Sequence, residues 1–262
     1  SAVVIGAGSG MVEIRISLFV MISAYAAARA LYTNRINYVI LAGLGVGFFV
    51  GAKYLGLLFA IGVGIVLLLR AGWLRRGLIY SAVVIVAGSQ WYVWNWIHTG
   101  DPFFPVLFAL IGDLETPFWD LTHQSILRNY FSSELGVPVN LFWFIAYPIR
   151  ATIQGFPAFD SLRAGLGPLP LLLAPFAVIG LWIYRQKIKG SNLFIYALIA
   201  ILFYTIWFFS GSSQRIRHLL PILPLILICL AVPAQHLTAK YNVNRPLFAA
   251  IFLTIFLQLS SH

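Results

Sequence analysis

Apolar residues in this chain come in long unbroken runs, without the period-two alternation of a half-buried sheet. Runs at about 14–31, 36–51, 54–69, 77–97, 168–184, 192–209, 219–236 and 246–259 are close to the roughly 17–25 residues a bilayer-spanning helix needs. The pattern predicts an all-α protein, a multi-pass transmembrane helical bundle of about eight spans. Between 98 and 167 the runs give way to polar residues, prolines and glycines, and this stretch predicts an external loop with an interfacial helical region. Thr116-Pro117 reads as an N-cap followed by proline at the first helical position. Trp119, Ile126, Leu127, Tyr130, Phe131 and Leu135 then recur at three- and four-residue steps, the mark of an amphipathic helix on a membrane surface over 117–135. LFWFIAYPI, at 141–149, is too short to cross and reads as a re-entrant or interfacial piece.

Charge placement orients the spans. Arg29 with Arg35, then Arg70, Arg75 and Arg76, then Arg185, Lys187 and Lys189, then Lys240 with Arg245 form four clusters. Alternating crossings put all four on one side, which the positive-inside bias makes cytoplasmic. Every acidic residue then falls on the other side: Glu13, Asp101, Asp113, Glu115, Asp120, Glu134 and Asp160. The net charge of +10 is therefore a topology signal, and no nucleic-acid partner is needed to explain it. The composition agrees, with 61% hydrophobic and 9% charged residues. A soluble domain exposes too much surface to carry so few charges. Eight tryptophans suit interfacial belts. Cys229 is the single cysteine, which excludes an internal disulfide. The opening SAVVIGAGSG has no basic segment before it, and the expectation is one membrane-embedded domain over 1–262 that lacks an N-terminal portion.

Lys53 tests this picture, because it interrupts the charge-free stretch between Arg35 and Arg70. As one helix that stretch would reach about 51 Å, far beyond the roughly 30 Å apolar core. Two short spans folding back near Gly51–Gly56 fit better, with Lys53 at the external turn. There it either snorkels from a helix end or holds an anionic headgroup.

The other external candidates are few. Glu13 opens the first span and could act as a base, order an acceptor, or pair with a cation. Arg215, Arg217 and His218 precede the run at 219. On a helix Arg215 and His218 would share a face, with Arg217 pointing elsewhere. Guanidinium offers paired donors to phosphate oxygens, so these arginines either bind a phosphate or snorkel to lipid. His98 and Asp101 lie in WNWIHTGDPFFP, where Gly100-Asp101-Pro102 suits a turn better than an acid–base set. His123, His236 and His262 are scattered, so no metal site is predicted.

Several stretches also resemble one family. LAGLGVGFFVGAKYLGLLFAIGVGIVLLLR is similar to the short helical hairpin of GT-C membrane glycosyltransferases of the protein-mannosyltransferase and aminoarabinose-transferase type. There a lysine sits between two apolar halves, often as TKG. Lys53 matches it, with Ala52 and Tyr54 as its neighbours. WNWIHTGDPFFP resembles an RN…TGNPF(Y/F)P stretch, with Asp101 where Asn is usual. GPLPLLLAPFAVIG resembles GPLFLLLLP, and RHLLPILPLILI resembles RYLLPLLPLL, with His218 in place of Tyr. The likeness covers most of the chain in the same order.

The resemblance implies inverting transfer of a sugar from a polyprenyl-phosphate donor to a lipid, glycan or protein acceptor. It places this at the external face of a bacterial inner membrane. It implies a donor-phosphate site from Lys53, Arg215, Arg217 and His218, with His98 and Asp101 in the acceptor loop. A divalent cation is left open. The family's main catalytic acid lies in a first external loop that does not occur here. Glu13 matches a later acidic position, where Asp is commoner, and is the catalytic candidate. The chain then reads as the rear part of a transferase, incomplete for catalysis by itself. Two rival readings are a polysaccharide polymerase or ligase with its long external loop, and a transporter or flippase. The latter needs discontinuous helices or midplane charges.

Overall fold

In the computed structural model, residues 12–111, 119–133, 136–153, 166–167, 169–210, 213–240 and 249 are described. Helix is the only regular structure among them. In chain order the helices are α1 (Val12–Thr33), α2 (Ile36–Ala52), α3 (Leu55–Leu68), α4 (Trp73–Gly88), α5 (Gln90–Thr99) and the short α6 (Phe108–Ile111). There follow α7 (Leu121–Ser133), α8 (Leu141–Ile153), α9 (Leu169–Lys189), α10 (Asn192–Phe209), a 3₁₀ turn (Ile216–Ile222) and α11 (Leu223–Lys240).

Four of these are long and apolar enough to cross a membrane: α1, α9, α10, and the 3₁₀ turn continued by α11. The number rises to five if α4 and α5 form one broken span. Helices α2 and α3, with 17 and 14 residues, are apolar but shorter. At 1.5 Å per residue they reach only about 26 and 21 Å. The sequence pattern predicts about eight spans, whereas the described residues supply four or five helices of crossing length plus this short pair. The run at 246–259 lies outside the described residues. Outward-facing positions are apolar in the manner of a lipid-solvated bundle: Leu18, Leu78, Val86, Val178 and Trp182 are all exposed.

The first four helices form antiparallel hairpins. Asn34 turns α1 into α2 with a positive φ of 60°, which Asn tolerates better than most residues. Lys53 and Tyr54 turn α2 into α3, as the charge argument predicts. Gly72, at φ 77°, turns α3 into α4. Glu13 and Lys53 are therefore brought to one end of the bundle, and Asn34 and Arg76 to the other.

Small residues let these helices approach closely, which is what holds helices together where lipid is the solvent. Ser23, Ala24, Ala26, Ala27, Ala28 and Ala30 of α1 are buried. On α2, a Cβ at Gly47 would lie 2.6 Å from Ala87 Cβ, so the crossing with α4 depends on that glycine. At the α2–α3 turn a Cβ on Gly56 would stand 2.5 Å from the Val50 nitrogen. Helix α1 is central, packing against α2, α3, α10, α11 and the 3₁₀ turn, while α9 packs chiefly on α11.

Three stretches can be set beside their local expectations. The run predicted as a single span at 77–97 bends by 59° between α4 and α5. The break falls at Gly88-Ser89, and Gly/Ser pairs are common kink sites. Thr116-Pro117, the expected start of the surface helix, lies outside the described residues, and the described helix covers Leu121–Ser133. Asp120 Oδ1 accepts the His123 N–H at 2.8 Å. The stretch containing 141–149 is the first part of a longer helix, α8, docked on the end of α10. Tyr204 donates its hydroxyl to the Phe144 carbonyl at 2.6 Å, and Tyr147 is buried against Trp207 and Phe208.

Candidate functional site

Three chain segments meet where α1 begins, α2 ends and the 3₁₀ turn starts. Glu13 is in the first turn of α1, where the helix dipole favours a carboxylate. Lys53 is the residue after α2 and is extended (φ −162°, ψ 139°). Its own N–H donates to the Phe49 carbonyl at 3.0 Å, and its carbonyl accepts from Gly56 N–H at 2.8 Å. The backbone of Lys53 is thus held on both sides, and its side chain turns to α1.

The Lys53 Nζ donates to Glu13 Oε1 at 2.6 Å, and Arg217 Nε lies 3.8 Å from the same oxygen. The Glu13 side chain is 5% exposed, against 26% for Lys53 and 29% for Arg217. A carboxylate this buried costs several kcal/mol unless it is compensated. Two cations compensate it here. His218 lies within electrostatic reach of all three groups. Its Nδ1 sits 3.0 Å from the Ser213 carbonyl, which can only accept. That nitrogen therefore carries hydrogen, and Nε2 is the nitrogen left for other work.

The segment bearing Arg217 is fixed from the side. Gln214 is buried, its Oε1 accepting the Val137 N–H at 2.8 Å and its carbonyl accepting the Tyr147 hydroxyl. Pro221 and Pro224 lack backbone donors, which suits a 3₁₀ turn running into the first turn of a helix. Arg215 precedes that turn in extended conformation, so helical spacing does not govern where it points. The expected pairing is corrected accordingly. Arg217 and His218 come to Lys53, whereas the Arg215 guanidinium donates to the Tyr130 hydroxyl and lies 5.4 Å from its ring centre. Arg215 ties α7 to the bundle.

Lys53 also faces a cleft of about 430 Å³, walled by Val50, Tyr54, Trp91 and Tyr92. A second cleft of similar size shares Gly51, Ala52 and Trp91 with it and extends toward Phe48, Gly88 and Trp94 at the α4–α5 bend. Together they form an apolar, aromatic-walled track that leads away from a lysine.

The 98–107 loop closes one side of this region. Tyr54 donates to the Phe104 carbonyl at 2.5 Å and accepts from Asn95 Nδ2 at 3.1 Å. Burial raises the Tyr54 phenol above its ordinary pKa, and the nearby Asp101 carboxylate adds to this. Asp101 itself is fully buried and spends both oxygens on backbone N–H groups, Phe103 at 2.7 Å and Leu107 at 3.1 Å. It holds the turn. His98 is exposed on α5 with its ring 4.4 Å from Trp94. The two do not form an acid–base pair. Sequence reasoning missed Tyr54, Asn95, Tyr130 and Gln214, whose partners are all distant in the chain. Only Tyr54, adjoining Lys53, carried any signal.

No family model matches this chain, and no curated protein or solved structure matches it either.

Proposed function

We propose that the chain takes part in transferring a sugar from a polyprenyl-phosphate donor to an acceptor hydroxyl at the external membrane face, with inversion. The observation that carries this reading is the convergence of Lys53 and Arg217, from separate helical elements, beside an apolar track at a single end of the bundle. An isoprenoid phosphate has the matching form, one anionic head on a long apolar tail. The order of the segments that resemble GT-C transferases supports the same reading.

In this chemistry the acceptor oxygen attacks the anomeric carbon as the bond to the phosphate oxygen breaks. The phosphate leaves with the electron pair, and the hydroxyl proton passes to a carboxylate. Negative charge grows on the departing phosphate. Fixed cations in a poorly hydrated site stabilise that charge more in the transition state than in the ground state. Lys53 and Arg217 would serve there, with His218 beside them. Glu13 would assist the acceptor. Helix α7, anchored through Tyr130, would flank the acceptor side.

The test is Lys53→Ala in the full-length protein. At roughly 3 kcal/mol per well-placed donor, sugar transfer should slow about a hundredfold or more. Undiminished transfer at normal expression would end this assignment. One observation favours a second reading. The α4–α5 break is a discontinuous helix of the kind that transporters and flippases use. Donor-dependent flux in proteoliposomes without covalent product would select that reading.

A further inference from the structure

We infer that Glu13 is a displaceable counter-ion, a carboxylate that stands in the place of the ligand phosphate and leaves it when the phosphate binds. The inference rests on the reading that Lys53 and Arg217 receive a phosphate. Both cations are directed at one oxygen, Glu13 Oε1, at 2.6 and 3.8 Å. The Glu13 carboxylate is almost wholly buried, while each cation keeps about a quarter of its side chain exposed. The cleft reaches Lys53, but Arg217 is not among its walls. A phosphate entering along the track therefore meets Lys53 first. A phosphate oxygen in contact with both Lys53 Nζ and Arg217 Nε would take the position that Oε1 now holds.

Charge makes the exchange reasonable. With the carboxylate in place, positive charge on Lys53 and Arg217 is offset while no phosphate is bound. A phosphodiester donor brings the same single charge and two terminal oxygens as Glu13, and a phosphate monoester such as the released product brings more of both, which suits two cations. Only part of the chain near Glu13 must yield, because α1 begins at Val12 and Glu13 is in its first, least constrained turn. A carboxylate freed from two cations also recovers basicity, so displacement would deliver a proton acceptor only when donor is present. The result is a site whose acid is masked until the anion arrives.

The alternative is that Glu13 is a permanent strut that holds Lys53 in place. The two ideas predict opposite signs. The full chain in lipid nanodiscs would be titrated with farnesyl phosphate, with farnesol as the neutral-head control and inorganic phosphate as the tail-free control. If Glu13 competes with the ligand, Glu13→Gln removes a charged competitor and should tighten farnesyl phosphate binding about tenfold or more. Glu13→Asp, which keeps the charge, should stay near wild type. Weaker or unchanged binding by a folded Glu13→Gln protein would overturn the inference. The phosphate reading would survive that result if wild type still preferred farnesyl phosphate to farnesol. No such preference in wild type would defeat both. Inorganic phosphate binding as tightly as farnesyl phosphate would assign the site to free phosphate and still leave the sign of the Glu13→Gln effect to decide the exchange. Should Glu13→Gln fail to fold, infrared difference spectra of wild type supply the answer. Farnesyl phosphate should shift a glutamate carboxylate band, and an unmoved band would refute displacement.

Discussion

The two ends of the bundle use positive charge in different ways. At one end Arg35, Arg70, Arg75, Arg185, Lys187, Lys189 and Lys240 stand exposed. Arg29 lies 5.7 Å from the Tyr38 ring, and Arg76 is buried with its Nη2 donating to Asn34 Oδ1. The acidic residues with described side chains, Glu13, Asp101 and Asp120, all lie toward the opposite end. There Lys53 and Arg217 are half-buried and share a single carboxylate. Exposed cations cost little to keep and individually contribute little, but collectively they favour anionic lipid and set orientation. Partly buried cations need a specific partner. A plain count of Lys and Arg does not distinguish these uses; burial and the position of carboxylates do.

The contrast is sharpest for single charges. Lys53→Met should leave Glu13 buried beside the more distant Arg217, lowering stability by about 1–3 kcal/mol besides slowing the proposed transfer about a hundredfold or more. Arg185→Met, at the exposed end, should leave both nearly unchanged. Thermal unfolding in detergent beside a transfer assay would show it. Equal effects of the two substitutions would erase the distinction drawn here.

Backbone packing extends the comparison. Gly56→Ala places a Cβ against the Phe49 and Val50 backbone, where nothing flexible can move aside. It should cost about 1–3 kcal/mol or more and spread the Lys53 turn. Gly190→Ala at the basic end meets no atom within 4 Å and should be neutral or slightly stabilising. Denaturation midpoints of the two proteins would separate them.

Hydrogen bonds give a smaller difference. Gln214→Ala leaves the buried Val137 N–H without its acceptor and should cost about 1–3 kcal/mol. Tyr32→Phe removes an exposed donor to the Ser191 carbonyl at the basic end and should cost about 0.5–1.5 kcal/mol at most. The smallest effect concerns the α7 cap. The His123 backbone N–H, then its ring, hold Asp120 below the usual carboxylate pKa. A depressed carboxylate pKa stabilises the folded form above its ordinary value of 3.8, and that contribution fades as pH falls through the lowered one. Amide protection factors within α7, taken relative to intrinsic exchange at each pH, should therefore fall in acid below about pH 4, and less so in Asp120→Asn.

Much of the paired end was legible in the chain. Charge segregation alone put Glu13, Lys53 and Arg217 on one side, and length arithmetic required a turn at Lys53. That Lys53 and Glu13 would touch did not follow from either, because it depends on how closely α1 and α2 pack. The expectation that Arg215 and His218 share a helix face failed for a definable reason. Helical spacing was applied to a segment that is extended and then 3₁₀, although Pro221 and Pro224 already argued against a regular α-helix there. The α4–α5 bend was hidden because Trp and Tyr continue the apolar run past Gly88-Ser89. Asp101 was read correctly as a turn residue, since Gly, Asp and Pro in succession have few other uses.

Gln214 joins regions that are far apart in the chain. Its side chain receives the backbone before α8, and its main chain receives a tyrosine from within α8. Arg217, three residues on, is therefore carried by a segment tethered to α8 at two points. Losing either bond would loosen the approach to the charged cluster from outside it.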